Sequence, residues 1–405
     1  MDSIGDANRR IVSGMRPTGR MHLGHLHGVL RNWIKLQHEY DCFFFAADWH
    51  ALTTHYEDTG GIEADLWAMI VDWLAVGIDP GVATLFIQSR VPEHAELHLL
   101  LSMITPLSWL ERVPTYKEQQ EKLKERDLAT YGFLGYPMLM SADVLIYRAG
   151  QVPVGEDQIV HVEMTREIAR HFNYIYGREP DFEERAEAAI KKLGRKAGGL
   201  YREQRRKYQE RGDVEALEVA RAMLASQTSL TIRDRDRLLG YLEGSGRTIL
   251  IEPQVLLTET PKMPGLDGQK MSKSYGNTIA LREEPESIEK KIRTMPTDPA
   301  RVRRTDPGEP TKCPVWDFHK IYSDEKTKHW VLEGCRSAGI GCLECKQAML
   351  EPMLAELEPI RERGKEIEAD PERVRGVIAD GNEAARDAAR DTLEVVREAM
   401  HLNYR

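Results

Sequence analysis

What most constrains this chain is the rhythm of its first 175 residues, where short apolar runs alternate with longer amphipathic segments. Ile11-Val12-Ser13, Cys42 to Ala47 and Thr84 to Ile87 have the length and composition of buried strands. Between them Leu26, Val29, Leu30, Trp33 and Ile34 recur at helical spacing, as do Leu66, Met69, Ile70, Trp73 and Leu74. Gly77-Ile78-Asp79-Pro80 ends the second of these helices. Leu139 to Arg148 reads as helix, Val152-Pro153-Val154 as a short buried strand, Gln158 to Phe172 as helix, and Thr248 to Ile251 as a later strand. Strands separated by helices of this length pair in parallel, which gives an α/β fold with helices on both faces of one sheet. Such sheets bind ligands beyond the carboxyl ends of their strands.

The remainder is helical in character. From 181 to 247 the chain is highly charged and poor in β-branched residues; between Lys191 and Arg211 nine basic residues stand against two acidic ones, within a protein of net charge −9. A solvated helical face and an RNA-facing patch both fit that run. Arg373 to Leu402 reads as an exposed helix rich in Ala, Glu and Arg. No apolar stretch approaches the length of a membrane span, and the first residues have neither a basic nor an apolar region of a secretory leader, so a cytoplasmic protein is expected. Of five cysteines, Cys42 stands alone while Cys313, Cys335, Cys342 and Cys345 cluster late, spaced C-x21-C-x6-C-x2-C. In a reducing compartment that pattern favours a metal over disulfides. Zinc and a [4Fe–4S] cluster both accept four thiolates, so ligand count leaves the choice open.

Two constellations carry chemistry. The first, Arg16-Pro17-Thr18-Gly19-Arg20-Met21-His22-Leu23-Gly24-His25, joins the first strand to the first helix. Its glycines let backbone approach a ligand, the helix start offers free N–H groups to phosphate, and His22 and His25 can donate to phosphate or ribose oxygens. The second, Lys270-Met271-Ser272-Lys273-Ser274, sits in a Gly/Pro-rich loop after a late strand. Two lysines on such a loop suit a reaction in which negative charge moves, as when pyrophosphate departs.

Together the two resemble the HIGH and KMSKS motifs of class I aminoacyl-tRNA synthetases, in the same order and on the same elements. Met138 to Tyr147 and Val152-Pro153-Val154-Gly155-Glu156-Asp157-Gln158 resemble the tryptophanyl-tRNA synthetases more than their tyrosyl relatives. The resemblance covers about three quarters of the chain. It implies a Rossmann-like catalytic domain in two parts (1–180 and 248–285), a charged helical insertion before the second motif (181–247), and a helical anticodon-binding domain (286–405). The implied activity is ATP-dependent activation of L-tryptophan and its transfer to tRNA(Trp), with Mg²⁺ accompanying ATP and a homodimer as the working state. The run Leu97 to Leu110, richer in apolar residues than one helix face can bury, agrees with a dimer. His22, His25, Lys270 and Lys273 take the catalytic roles. Arg16, Pro17, Thr18, Gly24, Gly155, Glu156, Asp157, Met263, Met271, Ser272 and Ser274 line the nucleotide site with His25 and the two lysines. Arg16 departs from the pattern, since many relatives carry glutamine there.

Tryptophan selection has its own logic. The indole N–H is a donor only, so a pocket that rejects tyrosine and phenylalanine needs one buried acceptor among apolar walls. Met140 and Asp143, three apart on a helix, can supply wall and acceptor. Tyr136 and Gln158 hold the ammonium group by resemblance, and His50 is a further candidate beside the adenylate. The four-cysteine pattern also resembles a synthetase subgroup that carries a [4Fe–4S] cluster. The competing readings are a tyrosyl-tRNA synthetase, a synthetase-like RNA-binding protein without catalysis, and a nucleotidyltransferase on the same fold.

Overall fold

The computed structural model describes residues 9–113, 130–257 and 263–404, the side chains of Asp157 and Ser274 excepted. Five parallel strands, β1 (Arg10–Met15), β2 (Asp41–Ala46), β3 (Ala83–Ile87), β4 (Gln151–Val154) and β5 (Gln254–Leu257), form one sheet in the order β3-β2-β1-β4-β5. The direction of winding reverses between β1 and β4, which opens a crevice beyond their carboxyl ends. Side chains alternate as a two-sided sheet demands. Ile11, Cys42, Phe44 and Leu85 face a core with Trp33, Ile70 and Trp73, where Trp33 stacks on Phe44 at 4.1 Å. Val12, Phe43, Phe45 and Phe86 face the other, with Leu97, Leu145, Tyr147 and Phe172.

Two expectations change. The fifth strand is Gln254–Leu257, and Thr248 to Ile251 is not a strand although Ile249 and Leu250 are buried. The Asn173 side chain explains this: its Oδ1 accepts from the amides of Ile249 and Leu250, and its Nδ2 donates to the Leu250 carbonyl. A single amide thus satisfies backbone groups that a ladder would otherwise need. The last helix, Pro371–Ala399, is not simply exposed. It buries Val374, Ile378, Ala385, Ala389, Leu393 and Val396. At Gly381 a Cβ would come within 1.9 Å of the Leu85 carbonyl oxygen, so only glycine lets this helix lie against β3. Asn382 Oδ1 then accepts from the Ile87 amide at 2.9 Å and blunts the sheet edge.

The charged stretch forms four helices, Phe182–Lys192, Gly194–Arg211, Val214–Ala225 and Ile232–Glu243, around their own core of Ile190, Tyr201, Leu217, Leu224, Leu238 and Leu242. It is fixed to the body by a buried Arg148–Asp236 pair and by Glu179, which accepts from Arg237 at 2.8 Å and Arg247 at 3.2 Å. The helices Pro285–Thr294, Pro314–Tyr322, Glu325–Arg336 and Cys342–Glu368 complete the chain before the last helix. Among the described residues no helix is long and apolar enough to cross a membrane.

Candidate active site

The first motif leaves β1 and enters a helix at Leu23. His22 caps that helix: its Nδ1 accepts from the Gly24 amide at 3.1 Å, while His25 Nδ1 accepts from the His22 amide at 3.2 Å. A Cβ on Gly24 would sit 2.9 Å from the His22 ring, so glycine here is required by the cap itself. With both Nδ1 atoms accepting, the neutral rings carry their proton on Nε2 and can donate it to a ligand. Burial and the nearby Lys273 charge lower His22 to about 4. Burial, His22 and Lys273 lower His25 to about 3.

Both rings should therefore stay neutral between about pH 5 and 8, and their NMR resonances should show no midpoint there. A midpoint near the ordinary value of 6.5 for either ring would contradict the geometry. Since the folded state holds both below that value, their contribution to stability is complete above 6.5 and is lost as pH falls toward about 4 for His22 and about 3 for His25.

The second motif is sewn to the first. Leu23 donates to the Ile279 carbonyl and Leu281 to the Met21 carbonyl, both at 3.0 Å, pairing His22 with Ala280. Asn277, buried, shapes the turn: its Oδ1 accepts from the Ser272 amide and its Nδ2 donates to Asp267 and to the Lys270 carbonyl. Met271 and Met263 are buried. Lys273 Nζ reaches across to donate to the Thr18 carbonyl at 2.7 Å, whereas Lys270 stays exposed. Burial holds the Lys273 ammonium below its usual range, with Asp65 and Asp72 opposing that shift. Asp72 ties both loops down: it accepts from the Met21 amide at 3.2 Å and from Arg282 at 2.5 Å.

Arg16 and Pro17 lie on the loop with Thr18, and Gly155 and Glu156 are exposed at the end of β4. The side chains of Asp157 and Ser274 lie outside the described residues. Tyr136, Met140 and Asp143 share one face of the helix Tyr136–Leu145. Tyr136 Oη contacts His161 at 3.3 Å, and Gln158 is half-buried where the next helix begins. Asp143 is fully buried and not bare. It accepts from His50 Nε2 at 2.8 Å, His94 Nδ1 at 2.6 Å and Gln88 Nε2 at 2.8 Å. Burial alone would raise this carboxyl, but the bonds from His50 and His94 outweigh it and hold it well below the usual range. Gln88 Oε1 beside it is buried and has no hydrogen-bond partner among the described residues. Sequence reasoning missed Gln88, His94, Asp72 and Asn277. The signal for the first two was their place just after the third strand, where a parallel sheet gathers ligands.

The four late cysteines are free thiols. Burial pushes Cys345 up to about 12, with Cys313, Cys335 and Cys342 contributing, so the four sulfurs share one neighbourhood. Arg301 donates to Cys335 Sγ at 3.6 Å, and His319 Nε2 lies 3.2 Å from Cys345 Sγ. Among the described residues no three His, Cys, Asp or Glu side chains are gathered as a ready metal site.

Comparisons with known proteins agree with this geometry. The family described as tRNA synthetases class I (W and Y) matches residues 6–193 and 231–358. A tryptophan--tRNA ligase of Ralstonia nicotianae is 66% identical over 98% of this chain and 99% of its own length. One from Thermotoga maritima is 44% identical over 98% of this chain and 100% of its own. The tryptophanyl-tRNA synthetase of Campylobacter jejuni, solved with ADP and tryptophan, superposes with a TM-score of 0.72 at 25% identity, over 97% of this chain and 100% of that one. The chain belongs to the tryptophan--tRNA ligase family of class I tRNA synthetases.

Proposed function

We propose that this protein activates L-tryptophan with ATP and Mg²⁺ and transfers it to tRNA(Trp). The observation that carries this reading is the convergence of His22, His25 and Lys273 at the crevice of the sheet, beside the helix bearing Asp143. The tryptophan carboxylate attacks the α-phosphorus of ATP and pyrophosphate leaves; the terminal ribose hydroxyl of the tRNA then attacks the acyl carbon and AMP leaves. Neither step needs a protein nucleophile. Neutral His22 and His25 donate to phosphate oxygens, and Lys273 and Lys270 offset the charge of departing pyrophosphate. Arg16, Thr18, Gly155 and Glu156 border the nucleotide, while Tyr136 and Gln158 face the ammonium group and Met140 the indole. Amino-acid-dependent ATP–pyrophosphate exchange tests the assignment. Exchange with tryptophan is expected; exchange driven by tyrosine would transfer the chain to the tyrosyl reading.

The sites of action and assembly follow the same reading. Residues 286–405 serve the anticodon, 181–247 form an insertion in the catalytic domain, and the protein works in the cytoplasm, where tRNA is charged. It acts as a homodimer. Leu52, Tyr56, Leu99, Met103, Leu107 and Tyr131 are exposed apolar side chains, and three of them sit on the run whose hydrophobicity exceeds the needs of one helix. A depression of about 370 Å³ beside them is lined by Trp49, Tyr56, Tyr131 and Leu139. Light scattering at micromolar protein should give twice the 46.3 kDa chain mass. A monomer mass there would refute the dimer.

Cys313, Cys335, Cys342 and Cys345 fit a [4Fe–4S] cluster. Four thiolates carry excess negative charge, and Arg301 and buried Lys346 stand beside them to offset it. Bound there, the cluster would cross-link the helices Glu325–Arg336 and Cys342–Glu368 to the start of Pro314–Tyr322, a structural task. Anaerobically purified protein should be brown with about four irons per chain. Colourless protein with one zinc would replace the cluster by zinc at the same cysteines.

A further inference from the structure

A cavity of about 730 Å³ lies where the four-helix segment meets the sheet. Its lining includes Gln254, the first residue of β5, and Ile251 and Glu252 just before it, and Gln254 pairs with Gln151 at the start of β4. The cavity is therefore at the amino ends of these strands, whereas the His22–Lys273 site lies beyond their carboxyl ends. Arg148, Arg166, Arg170, Arg178, Arg221 and Arg235 all line it. Against these six stand Asp236, Glu243 and Glu252.

The ion pairs divide the arginines into two groups. Arg148 is consumed by buried Asp236, Arg221 by Glu218 and Glu243, and Arg170 by Glu252, while Arg235 donates to the Gln227 carbonyl at 2.9 Å. Arg166 keeps only an exposed partner, Glu163, with Glu252 at 3.8 Å, and its buried Nε makes no hydrogen bond to any described residue. Arg178 lies over the Tyr174 ring at 4.6 Å, a cation–aromatic contact between two groups on which nucleobases can stack. Tyr208, Ser245 and Thr248 add polar groups along the wall.

We propose that this cavity is a second binding site, for a nucleoside phosphate, with Arg166 and Arg178 meeting the phosphates and the Tyr174–Arg178 stack meeting the base. Its volume falls in the range of small-ligand sites. A nucleic-acid backbone would follow a stripe of charge, whereas these arginines ring one concavity. An occupant would bridge the body and the four-helix segment, whose helices Val214–Ala225 and Ile232–Glu243 supply Arg221, Leu224, Ile232 and Arg235 to the wall.

Calorimetric titration of the full chain with GTP tests this, with the catalytic site filled by a non-hydrolysable tryptophanyl-adenylate analogue. One GTP per chain is expected, weakened about tenfold or more by Arg178→Ala, Arg166→Ala or Tyr174→Ala. Arg178 and Tyr174 are exposed, so these variants should fold and keep wild-type pyrophosphate exchange. Inorganic triphosphate should bind more weakly and ignore Tyr174→Ala. If triphosphate binds as tightly as GTP, the nucleoside part is overturned. Absence of binding at about millimolar GTP overturns the site. Binding of tRNA alone, lost in the same variants, overturns it in favour of an RNA surface.

Discussion

Replacing Lys273 with alanine is expected to slow adenylate formation by about 10²–10³-fold while changing tryptophan affinity little. Its ammonium lies on the Thr18 carbonyl, within the electrostatic reach of both motif histidines. That position puts a partly desolvated charge where the phosphates of ATP would lie, and the charge counts most as the bond to pyrophosphate breaks. The partner effect at Lys270 should be smaller, because this side chain is exposed and Asn277 holds the residue only through its backbone carbonyl. Rapid-mixing fluorescence separates the rate of adenylate formation from tryptophan binding. Equal losses in both quantities would mean that Lys273 shapes the pocket and does not stabilise the departing charge.

How much of this was legible in the sequence depends on whether a residue works through its neighbours in the chain or through distant ones. The first four strands are local patterns of apolar residues; the structure places β2, β3 and β4 within a residue of their expected bounds, and β1 runs on two residues past Ser13 to Met15. The histidine cap is local too: His22, Gly24 and His25 lie within one helical turn. The fifth strand escaped because its place is set by Asn173, 76 positions from the amide of Ile249 that it captures. The last helix looked exposed because alanines and one glycine, which pattern weakly, form the face that fits under β3. Asp72 likewise sits in an apolar helical run, and only the fold shows that it holds the Met21 amide and Arg282 at once. The arginines of the second cavity come from several segments, so no stretch of sequence displays them as a group.

Asp143 shows the same limit most sharply, and its replacement carries the second large effect. In the sequence it is a lone carboxylate suited to receive the indole N–H. In the structure it also gathers His50, His94 and Gln88, contributed by residues 93, 49 and 55 positions away. Asp143→Ala should therefore do two things. Removing one partner of a buried charged network costs about 3–5 kcal/mol of stability, since His94 and Gln88 are left with unpaired donors in the core. The preference for tryptophan over tyrosine in kcat/KM should fall by about 1–3 kcal/mol, the cost of an indole N–H without its acceptor. Asp143→Asn keeps the shape and one acceptor, so it should lose less of both. Melting temperature and exchange kinetics with the two amino acids separate the effects. If Asp143→Ala melts early yet keeps its preference, while Gln88→Leu abolishes it, the acceptor is Gln88 Oε1, which has no partner among the described residues. The carboxylate would then only orient that amide, through the two bonds it accepts from Gln88 Nε2.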